Sequence, residues 1–358
     1  MSNGTVPLSA VVVGAGAGGT LSIDALERSE RFTLTAVADL GEAARARIDD
    51  RFAGRVRTYP SAEEMFAAEA VDVVCVSTYA PTHLPLVESA LALPTTRGLL
   101  VEKPLGDTTA AGAEILRLIR AHGLPVVVPH GLAAQAAPSE IVSRVHRGDI
   151  GRLRLVEIEC NEWDIINAGI HWLQFFVSLI GDDPIESVLS AADTSTGTFR
   201  DGMQVETEAV TLAHTRDGVR LVLETGDHIE MARMDTVALM RIVGDRGFIE
   251  YGAYERAYTL VTPDRDREVV TLDEFAVSGH QRHLEHLAAQ IEAGTTDYAI
   301  PDSSLRALEA VEAAYLSHRA RSTVRLPLAD HGAGTPWAGW DPGAPYSGTG
   351  GGRNGREL

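Results

Sequence analysis

Apolar and polar positions alternate in blocks over residues 1–128 of the chain. Short apolar runs, such as 8–13 and 32–38, are each followed by a stretch whose apolar positions recur at helical spacing. The runs contain almost no charged residue, which is typical of strands buried on both faces. The pattern therefore predicts a doubly wound parallel sheet with helices on both sides.

The strands and helices predicted for this half alternate regularly. The strands are 8–13, 32–38, a short one around Val56, 71–76, 98–101 and 125–128, and the later helices are 42–53, one from Ser61, 85–93 and 110–122. Ser61 with Glu64 forms a capping box, which marks a helix start.

The pattern changes after Val128. Strand-like runs follow one another with hairpin-length links, at 152–159, 186–190, 210–214, 221–224, 240–243, 248–251 and 258–261. Helices are predicted at 139–147, where Gly148 supplies a C-cap, and at 171–180, 283–293 and 305–319. This half is expected to be an α+β domain with an open, mainly antiparallel sheet.

The predicted division is a doubly wound domain at 1–128, an α+β domain at 129–330, and a Gly/Pro-rich tail at 331–358. The tail contains Trp337, Trp340 and Tyr346. We expect these aromatic residues to dock on a neighbouring subunit.

A glycine-rich turn joins the first strand to the first helix. It contains Gly14, Ala15, Gly16, Ala17, Gly18 and Gly19. Glycines at 14, 16 and 19 satisfy G-x-G-x-x-G between a strand and a helix, where the backbone can approach a pyrophosphate and free N–H groups attract its charge. The turn therefore predicts a Rossmann-type dinucleotide site.

The second strand ends in Asp39, where a carboxylate can accept hydrogen bonds from the adenosine ribose hydroxyls. The alternative is that Asp39 caps the helix that begins near Glu42. An acid at this place repels a 2′-phosphate, so NAD is favoured as cofactor, while Arg45 and Arg47 leave NADP possible.

Ligands of doubly wound sheets lie beyond the carboxyl ends of the strands. This rule selects three further segments, 77–81, 102–104 and 129–130.

Charge and cysteine content narrow the class of protein. A formal net charge of -19 disfavours a nucleic-acid or anionic-membrane partner, since phosphates are repelled. Cys75 and Cys160 lie in apolar runs without metal-ligand spacing, and the first apolar run is too short for a signal peptide or a membrane span, so a cytoplasmic protein is expected. We predict no metal site. His280, His283 and His286 are expected to lie on a solvated helix surface, without carboxylate or cysteine partners.

Taken together, these motifs resemble the Gfo/Idh/MocA family of NAD(P)-dependent sugar and cyclitol oxidoreductases. The matching segments are the glycine turn, Asp39, the loop 78–83, Glu102-Lys103-Pro104, His130, 148–151, 169–171, 244–250 and 305–315. The resemblance covers about residues 8–328.

The resemblance implies roles for individual residues. Lys103 and His171 are expected to be catalytic. Thr78, Tyr79, His83, Glu102 and Lys103 are expected to contact or position the cofactor, in addition to the glycine turn and Asp39.

Further implications concern the substrate and the assembly. Asn167, His130 and Trp163 are expected to bind a polyhydroxylated small molecule. The outer face of the second sheet is expected to form a homodimer or homotetramer interface. The sequence departs from the family pattern at Tyr79, where a proline is usual, and at Asn167, where an acid precedes the histidine.

Each candidate also has a structural interpretation. His171 is either a base for the substrate hydroxyl, since histidine titrates near neutral pH, or a core histidine. Lys103 either stabilises alkoxide character or pairs with Glu102. Asn167 lines a pocket or caps a helix, and Trp163 stacks on a sugar ring or packs in the core.

Three functions remain open on these grounds. The first is hydride transfer between nicotinamide and a secondary alcohol or ketone of a sugar, cyclitol or related polyol. The second is a redox-neutral elimination or epimerisation with tightly bound NAD, and the third is a non-catalytic dinucleotide-sensing regulator.

Overall fold

The structure is a computed structural model that describes residues 6–194, 198–201, 203–233 and 235–328. These residues divide into two units. The first contains 6–106, 111–129 and 276–302, and the second contains 107–110, the described part of 130–275, and 303–328. The sequence-based division assigns 276–302 to the second domain, and its boundaries stay a prediction. Trp337, Trp340 and Tyr346 lie outside the described residues.

The strands and helices are numbered along the chain. The strands are β1 (Leu8–Val13), β2 (Phe32–Ala38), β3 (Arg57–Tyr59), β4 (Val73–Val76), β5 (Gly98–Val101), β6 (Val126–Val127), β7 (Leu153–Asn161), β8 (Ile185–Asp193), β9 (Thr198–Arg200), β10 (Met203–Val205), β11 (Glu208–Thr215), β12 (Arg220–Gly226), β13 (Ala238–Gly244), β14 (Phe248–Gly252), β15 (Ala257–Thr262), β16 (Arg265–Thr271) and β17 (Val324–Arg325). The helices are α1 (Ala17–Arg28), α2 (Glu42–Phe52), α3 (Ala62–Ala68), α4 (His83–Leu91), α5 (Thr109–Ala121), α6 (Ala136–Arg147), α7 (Ile170–Ile180), α8 (Gly279–Ala293) and α9 (Ala299–Ala320).

The first unit is built on a parallel sheet in the order β3-β2-β1-β4-β5-β6. Residues of β4 and β5 are all buried, as the apolar runs predict. Ser61 caps α3 by accepting a hydrogen bond from the Glu64 N–H at 3.1 Å. The predicted doubly wound parallel sheet is confirmed.

The register in which β1, β4 and β5 pair aligns the carboxyl ends of these central strands. Val76 of β4 pairs with Val13 of β1 and with Val101 of β5. The Ser77 N–H then donates to the Val13 carbonyl at 2.8 Å, and the Glu102 N–H donates to the Val76 carbonyl at 2.9 Å. The glycine turn, Ser77 and Glu102 therefore stand side by side at one edge of this sheet.

Helix α8 packs on the same sheet although it follows β6 by about 150 residues. A Cβ on Gly98 would lie 2.8 Å from Ile291 Cδ1 and 3.0 Å from Leu287 Cδ1. Glycine at the start of β5 thus makes room for the apolar face of α8.

The second unit is built on a nine-stranded sheet in the order β16-β15-β14-β13-β7-β12-β11-β8-β17. Strands β7 and β12 pair in parallel, and the other neighbouring strands pair antiparallel. The predicted mainly antiparallel sheet is confirmed. Helix α6 ends at Gly148 with φ +80°, as its C-cap role predicts.

The sequence did not predict β9, β10, β16 and β17. Strand β16 lies at one edge of the sheet and carries four charged residues, Arg265, Asp266, Arg267 and Glu268. Charged edge strands lack the apolar alternation that identifies a strand in sequence. No helix within the described residues is both long and apolar enough to cross a bilayer.

Candidate active site

The glycine turn is shaped by two different requirements. A Cβ on Gly14 would lie 2.4 Å from the Ser77 carbonyl oxygen, and one on Gly19 would lie 2.0 Å from the Gly14 oxygen. These glycines are required for packing of the turn against β4 and against itself. A Cβ on Gly16 would meet no described atom within 4 Å. The Gly16 side of the turn is therefore open next to the N–H groups that begin α1, which are the groups that attract a pyrophosphate.

Asp39 faces the glycine turn. Its Oδ2 accepts a hydrogen bond from the Ala15 N–H at 2.7 Å, and its Oδ1 accepts one from the Gly41 N–H at 2.7 Å. Helix α2 has Gly41 as its N-cap and no side-chain cap bond. The carboxylate thus bridges two loops and keeps lone pairs for ribose hydroxyls. The Arg45 guanidinium donates to the Asp39 carbonyl at 2.7 Å at the same corner.

The loop after β4 contains Thr78, Tyr79 and His83. The His83 imidazole is fully buried, with Nε2 3.0 Å from the Thr78 carbonyl and Nδ1 3.3 Å from the Leu105 carbonyl. Burial lowers the pKa of His83, so the neutral ring has one N–H and donates to only one of these carbonyls. His83 therefore holds the loop in place, whereas the Tyr79 ring is 41% exposed.

Lys103 follows Glu102 at the end of β5 and is half-buried. It is the only lysine in the chain, since the other 30 of the 31 Lys and Arg residues are arginine. Arginine and lysine differ in more than shape, because the ammonium is a compact point charge that loses or gains a proton more readily. If this position required only a positive charge, arginine, which the chain uses at the other 30 positions, would serve equally well.

In the second unit, His171 is the second residue of α7 and is half-buried, while the side chains around it on this helix are buried. The fully buried His130 ring packs edge-on against it, with ring centroids 5.3 Å apart. His130 Nε2 lies 2.8 Å from Ser304 Oγ. Trp172 in turn packs against Tyr254, with ring centroids 6.0 Å apart. The structure thus brings the two predicted histidines together.

A π-helical turn, Ile165–Gly169, leads into α7 and is held by Asp164. Asp164 Oδ1 accepts from the Ile166 N–H at 3.1 Å and the Asn167 N–H at 2.7 Å. Asp164 Oδ2 accepts from Asn167 Nδ2 at 3.1 Å and from Arg200 Nη1 at 2.7 Å. The interpretation of Asn167 as the helix N-cap is therefore wrong, because Asp164 caps the turn and Asn167 lies buried within it.

Glu206 adds a second buried carboxyl to this turn. Its Oε1 accepts from the Ile165 N–H at 2.7 Å, and its Oε2 accepts from the Tyr315 hydroxyl at 3.1 Å. Burial, together with the charge of Asp164, raises the pKa of Glu206 to about 7. Burial also raises the pKa of Tyr315.

Arg200 is the cation of this cluster. Its second contact is with Asp227 Oδ1, 3.3 Å from Nη2, and both side chains are nearly inaccessible to solvent. The Trp163 ring centroid lies 5.2 Å from its guanidinium carbon. Trp163 therefore stacks on a buried guanidinium, which is a cation–π contact.

The predicted residues fall into two sets. The first unit holds Gly14, Ala15, Gly16, Ala17, Gly18, Gly19, Asp39, Thr78, Tyr79, His83, Glu102 and Lys103, and the second holds His130, Trp163, Asn167 and His171. Within the described residues, no group of three or more His, Cys, Asp or Glu side chains is arranged to hold a metal.

Several residues were missed by the sequence analysis. Asp164 carries a local signal, since an acid three positions before Asn167 and ahead of an apolar helix is typical of a cap. Arg200 and Glu206 carry none, because they reach the turn from 36 and 41 residues away. The prediction of a solvated surface is wrong for His283, which is 4% exposed, and for His280, which bonds to Glu102.

Comparison with known proteins identifies the family. The sequence model of the Gfo/Idh/MocA oxidoreductase family, NAD-binding Rossmann fold, matches residues 8–130, and that of the family's C-terminal alpha/beta domain matches residues 165–326. The rhizopine catabolism protein MocA of Rhizobium meliloti is 26% identical over 219 residues, which are 56% of this chain and 65% of that protein. The chain spans less than two thirds of the length of the curated relatives it matches.

Solved structures share the fold. The aldose-aldose oxidoreductase from Caulobacter crescentus, complexed with glycerol, is 18% identical with a TM-score of 0.76 over 90% of this chain and 100% of that chain. The myo-inositol 2-dehydrogenase from Lactobacillus plantarum is 17% identical with a TM-score of 0.72 over 89% of this chain and 99% of that chain. Because the models of the two family domains together match more than half of the chain, the chain belongs to the Gfo/Idh/MocA oxidoreductase family, and residues 8–130 are that family's NAD-binding Rossmann fold.

Proposed function

We propose that this protein is an NAD-dependent oxidoreductase that transfers a hydride between nicotinamide and a secondary alcohol or ketone of a sugar, cyclitol or related polyol. The observation that carries the proposal is Lys103. The single lysine of a chain that otherwise uses arginine stands at the carboxyl edge of the Rossmann sheet, directly after Glu102. The sugar and cyclitol enzymes among the structural neighbours support the substrate class.

The proposed chemistry divides between two residues. When bound, the nicotinamide accepts or returns the hydride at its C4 atom. Lys103 stabilises negative charge that develops on the substrate oxygen, because an ammonium in a partly desolvated site lowers the energy of an alkoxide-like state. His171 accepts the hydroxyl proton during oxidation and returns it during reduction.

Substrate contacts are proposed for His130, Trp163 and Asn167. His130 supports the His171 ring from the side at 5.3 Å between centroids. The Asn167 amide is oriented by Asp164, since its Nδ2 donates to Oδ2 of that carboxylate at 3.1 Å. Trp163 offers a half-buried aromatic ring that stacks on Arg200 on one side.

NAD is proposed as the preferred dinucleotide. The Asp39 carboxylate stands beside the glycine turn, where it would repel the 2′-phosphate of NADP and accept hydrogen bonds from an unmodified ribose. Arg45 lies at the same corner but donates to the backbone carbonyls of Asp39 and Leu40, at 2.7 Å and 2.9 Å.

The central experiment replaces Lys103. Lys103→Ala should abolish turnover and leave NAD affinity largely intact, and Lys103→Arg should retain little activity, because the guanidinium is larger and spreads its charge over a plane. Arg97→Ala, which removes an exposed cation paired with Asp72 at 3.4 Å, is the matched control and should retain activity. Unchanged turnover in Lys103→Ala would overturn the proposal.

Having one lysine also permits a chemical test. Acetylation of the amines of the purified protein modifies Lys103 and the terminal amine and removes the positive charge of the lysine side chain. Acetylation that is slowed by bound NAD and substrate, and that inactivates the enzyme in proportion to Lys103 modification, is the expected result. Full activity after complete modification of Lys103 would contradict its role.

The assay that identifies the substrate class also separates the alternatives. Turnover is followed at 340 nm with free NAD and a panel of sugars and cyclitols, after the absorbance spectrum of the purified protein is recorded. Net NADH formation supports the dehydrogenase. Retained dinucleotide with substrate conversion but no net NADH indicates a redox-neutral reaction, and binding without any conversion indicates a sensor.

A homodimer or homotetramer is proposed through the outer face of the second sheet. Leu189 of β8 and Leu212 of β11 are register partners and are 42% and 39% exposed, with Val210 on the same strand 42% exposed. Leu212→Glu should lower the mass measured by light scattering, because a charge in an apolar interface is costly to desolvate. An unchanged mass would place the interface elsewhere.

A further inference from the structure

His280 stands in the first turn of α8 and contacts the end of β5. Its Nε2 lies 2.8 Å from Glu102 Oε1, across 178 positions of sequence. The Ser278 hydroxyl caps the helix by accepting from the Gln281 N–H at 3.2 Å, which fixes where the histidine stands. The contact therefore joins a capped helix start to the segment that carries Lys103.

The Glu102 carboxyl is an unusual group at this place because it is buried. Its side chain is 7% exposed and that of His280 is 14% exposed. Burial raises the pKa of the Glu102 carboxyl, but the hydrogen bond from His280 and the charges of His280 and Lys103 outweigh it and hold that pKa below its usual value. A buried carboxylate is thus stabilised in part by a histidine from a distant helix.

The same carboxylate packs against the glycine turn. A Cβ on Gly18 would lie 3.2 Å from Glu102 Oε1, the atom that His280 contacts, and 3.1 Å from Cδ. Glu102 Oε2 accepts from the Lys103 N–H at 3.2 Å. One carboxylate therefore lies beside Gly18 of the dinucleotide turn and accepts hydrogen bonds from the Lys103 N–H and from His280.

The Glu102 carboxylate therefore lies next to the backbone segment that is expected to bind the negatively charged pyrophosphate. Gly18 is the second residue of α1, whose N–H groups attract a pyrophosphate. A carboxylate beside Gly18 opposes that attraction unless nearby donors hold it in place and offset its charge. His280 donates a hydrogen bond to the Glu102 carboxylate, in addition to the Lys103 N–H and the nearby charge of Lys103.

We propose that His280 is a positioning residue for dinucleotide binding: its hydrogen bond holds Glu102 beside Gly18 and, as a donor to the carboxylate, partly offsets the negative charge of that group next to the pyrophosphate-binding turn. This inference goes beyond the proposed function, because it concerns NAD affinity whatever the substrate is. A role limited to packing of α8 would affect stability but would not depend on the charge of Glu102.

The test measures NAD affinity by isothermal titration calorimetry on the full-length protein freed of co-purified dinucleotide, without any substrate. His280→Leu should weaken NAD binding by about ten-fold, the effect of one poorly compensated charge near the ligand. His280→Gln should stay within about two-fold, because its terminal amide donates from nearly the position of Nε2. His286→Leu is the matched control, since His286 lies on the same helix and pairs with Asp297 at 3.4 Å on the exposed side.

A double-mutant cycle with Glu102→Gln tests the charge directly. In that background His280→Leu should cost less than about three-fold, because no carboxylate remains to be compensated. If thermal melting shows that His280→Leu is not folded, His280→Asn takes its place. Asparagine is polar, but its side chain is too short to reach Glu102. Equal loss of affinity with and without the Glu102 charge, or no loss in His280→Leu, would overturn the proposal.

Discussion

Asn167→Asp is the substitution for which the structure gives the sharpest expectation. It changes an amide to a carboxyl at the position where the family pattern has an acid. In this chain the Asn167 Nδ2 donates to Asp164 Oδ2 at 3.1 Å and to the Arg200 carbonyl at 3.4 Å. Both partners are acceptors, so an ionised carboxyl at this position faces two groups to which it cannot bond.

The expected cost follows from burial. Asp164 is fully buried and Asn167 is 2% exposed, so water does not screen the new contact. Loss of a hydrogen bond to a charged group costs about 1.5–3 kcal/mol, and a buried charge that Arg200, already paired with Asp164, compensates only in part brings the total to about 3–5 kcal/mol. We therefore expect Asn167→Asp to lower the free energy of unfolding by about 3–5 kcal/mol at pH 7.

The cost should depend on pH. Repulsion by Asp164 and burial raise the pKa of the introduced carboxyl in the folded protein above its unfolded value of about 4. The protonated form is then favoured by folding, so its contribution is fully present below about pH 4 and is lost as pH rises toward the folded pKa. The stability deficit relative to wild type should grow by up to about 1.4 kcal/mol per pH unit above pH 4.

Urea unfolding of wild type and variant between pH 4.5 and 8 measures this deficit. The variant Asp164→Asn and the double variant complete a cycle, in which the two changes should couple by more than about 1 kcal/mol because the facing carboxylate is removed. A deficit below about 1 kcal/mol, a deficit independent of pH, or simple additivity would refute the assignment of Asp164 as the charged partner of Asn167.

Three further expectations follow from the same structure. Gly19→Ala should prevent stable folding, since its Cβ would lie 2.0 Å from the Gly14 oxygen, whereas Gly16→Ala should fold normally and bind NAD more weakly, as circular dichroism and calorimetry would show. Asp39→Ser should shift the ratio of NADP to NAD affinity upward by at least about ten-fold, by removing the charge that repels a 2′-phosphate. Glu206→Gln keeps an acceptor for the Ile165 N–H and a polar contact for Tyr315 but removes a carboxyl whose pKa is raised to about 7. Because that raised pKa makes wild-type stability fall as pH rises from about 4.5 to 7, the variant should gain relative stability over this range by up to about 1.4 kcal/mol per pH unit in denaturant titrations.

Local sequence signals predicted the elements that depend on local chemistry. The Ser61 cap, the Gly148 C-cap and the strand that leads into the glycine turn each need only a few neighbouring residues, and each is found as predicted. The sheet classes followed from the spacing of apolar residues along the chain. These features could be predicted because their causes lie within one or two turns of helix or one strand.

The candidate site was harder to predict from the sequence, because the residues that hold it in place come from distant segments of the chain. Asn167 could not be distinguished from a helix cap until Asp164 and Arg200 were placed around it. Glu206 sits in no motif, yet it holds the Ile165 N–H. Polar clusters of this kind form only when the fold brings remote residues together, so no local pattern indicates them.

The position of α8 shows the same limit on a larger scale. Four of its side chains, those of Leu284, Leu287, Ala288 and Ile291, join the buried core of the Rossmann sheet with residues of β1 and β5. Burying each of the three larger side chains contributes about 2 kcal/mol, hence about 6 kcal/mol for the helix. That sum is comparable with the whole net stability of an average domain, about 5–15 kcal/mol. The nucleotide unit therefore depends on a helix encoded about 150 residues after its last strand, and the helix that completes its core is also the one that presents His280 to Glu102.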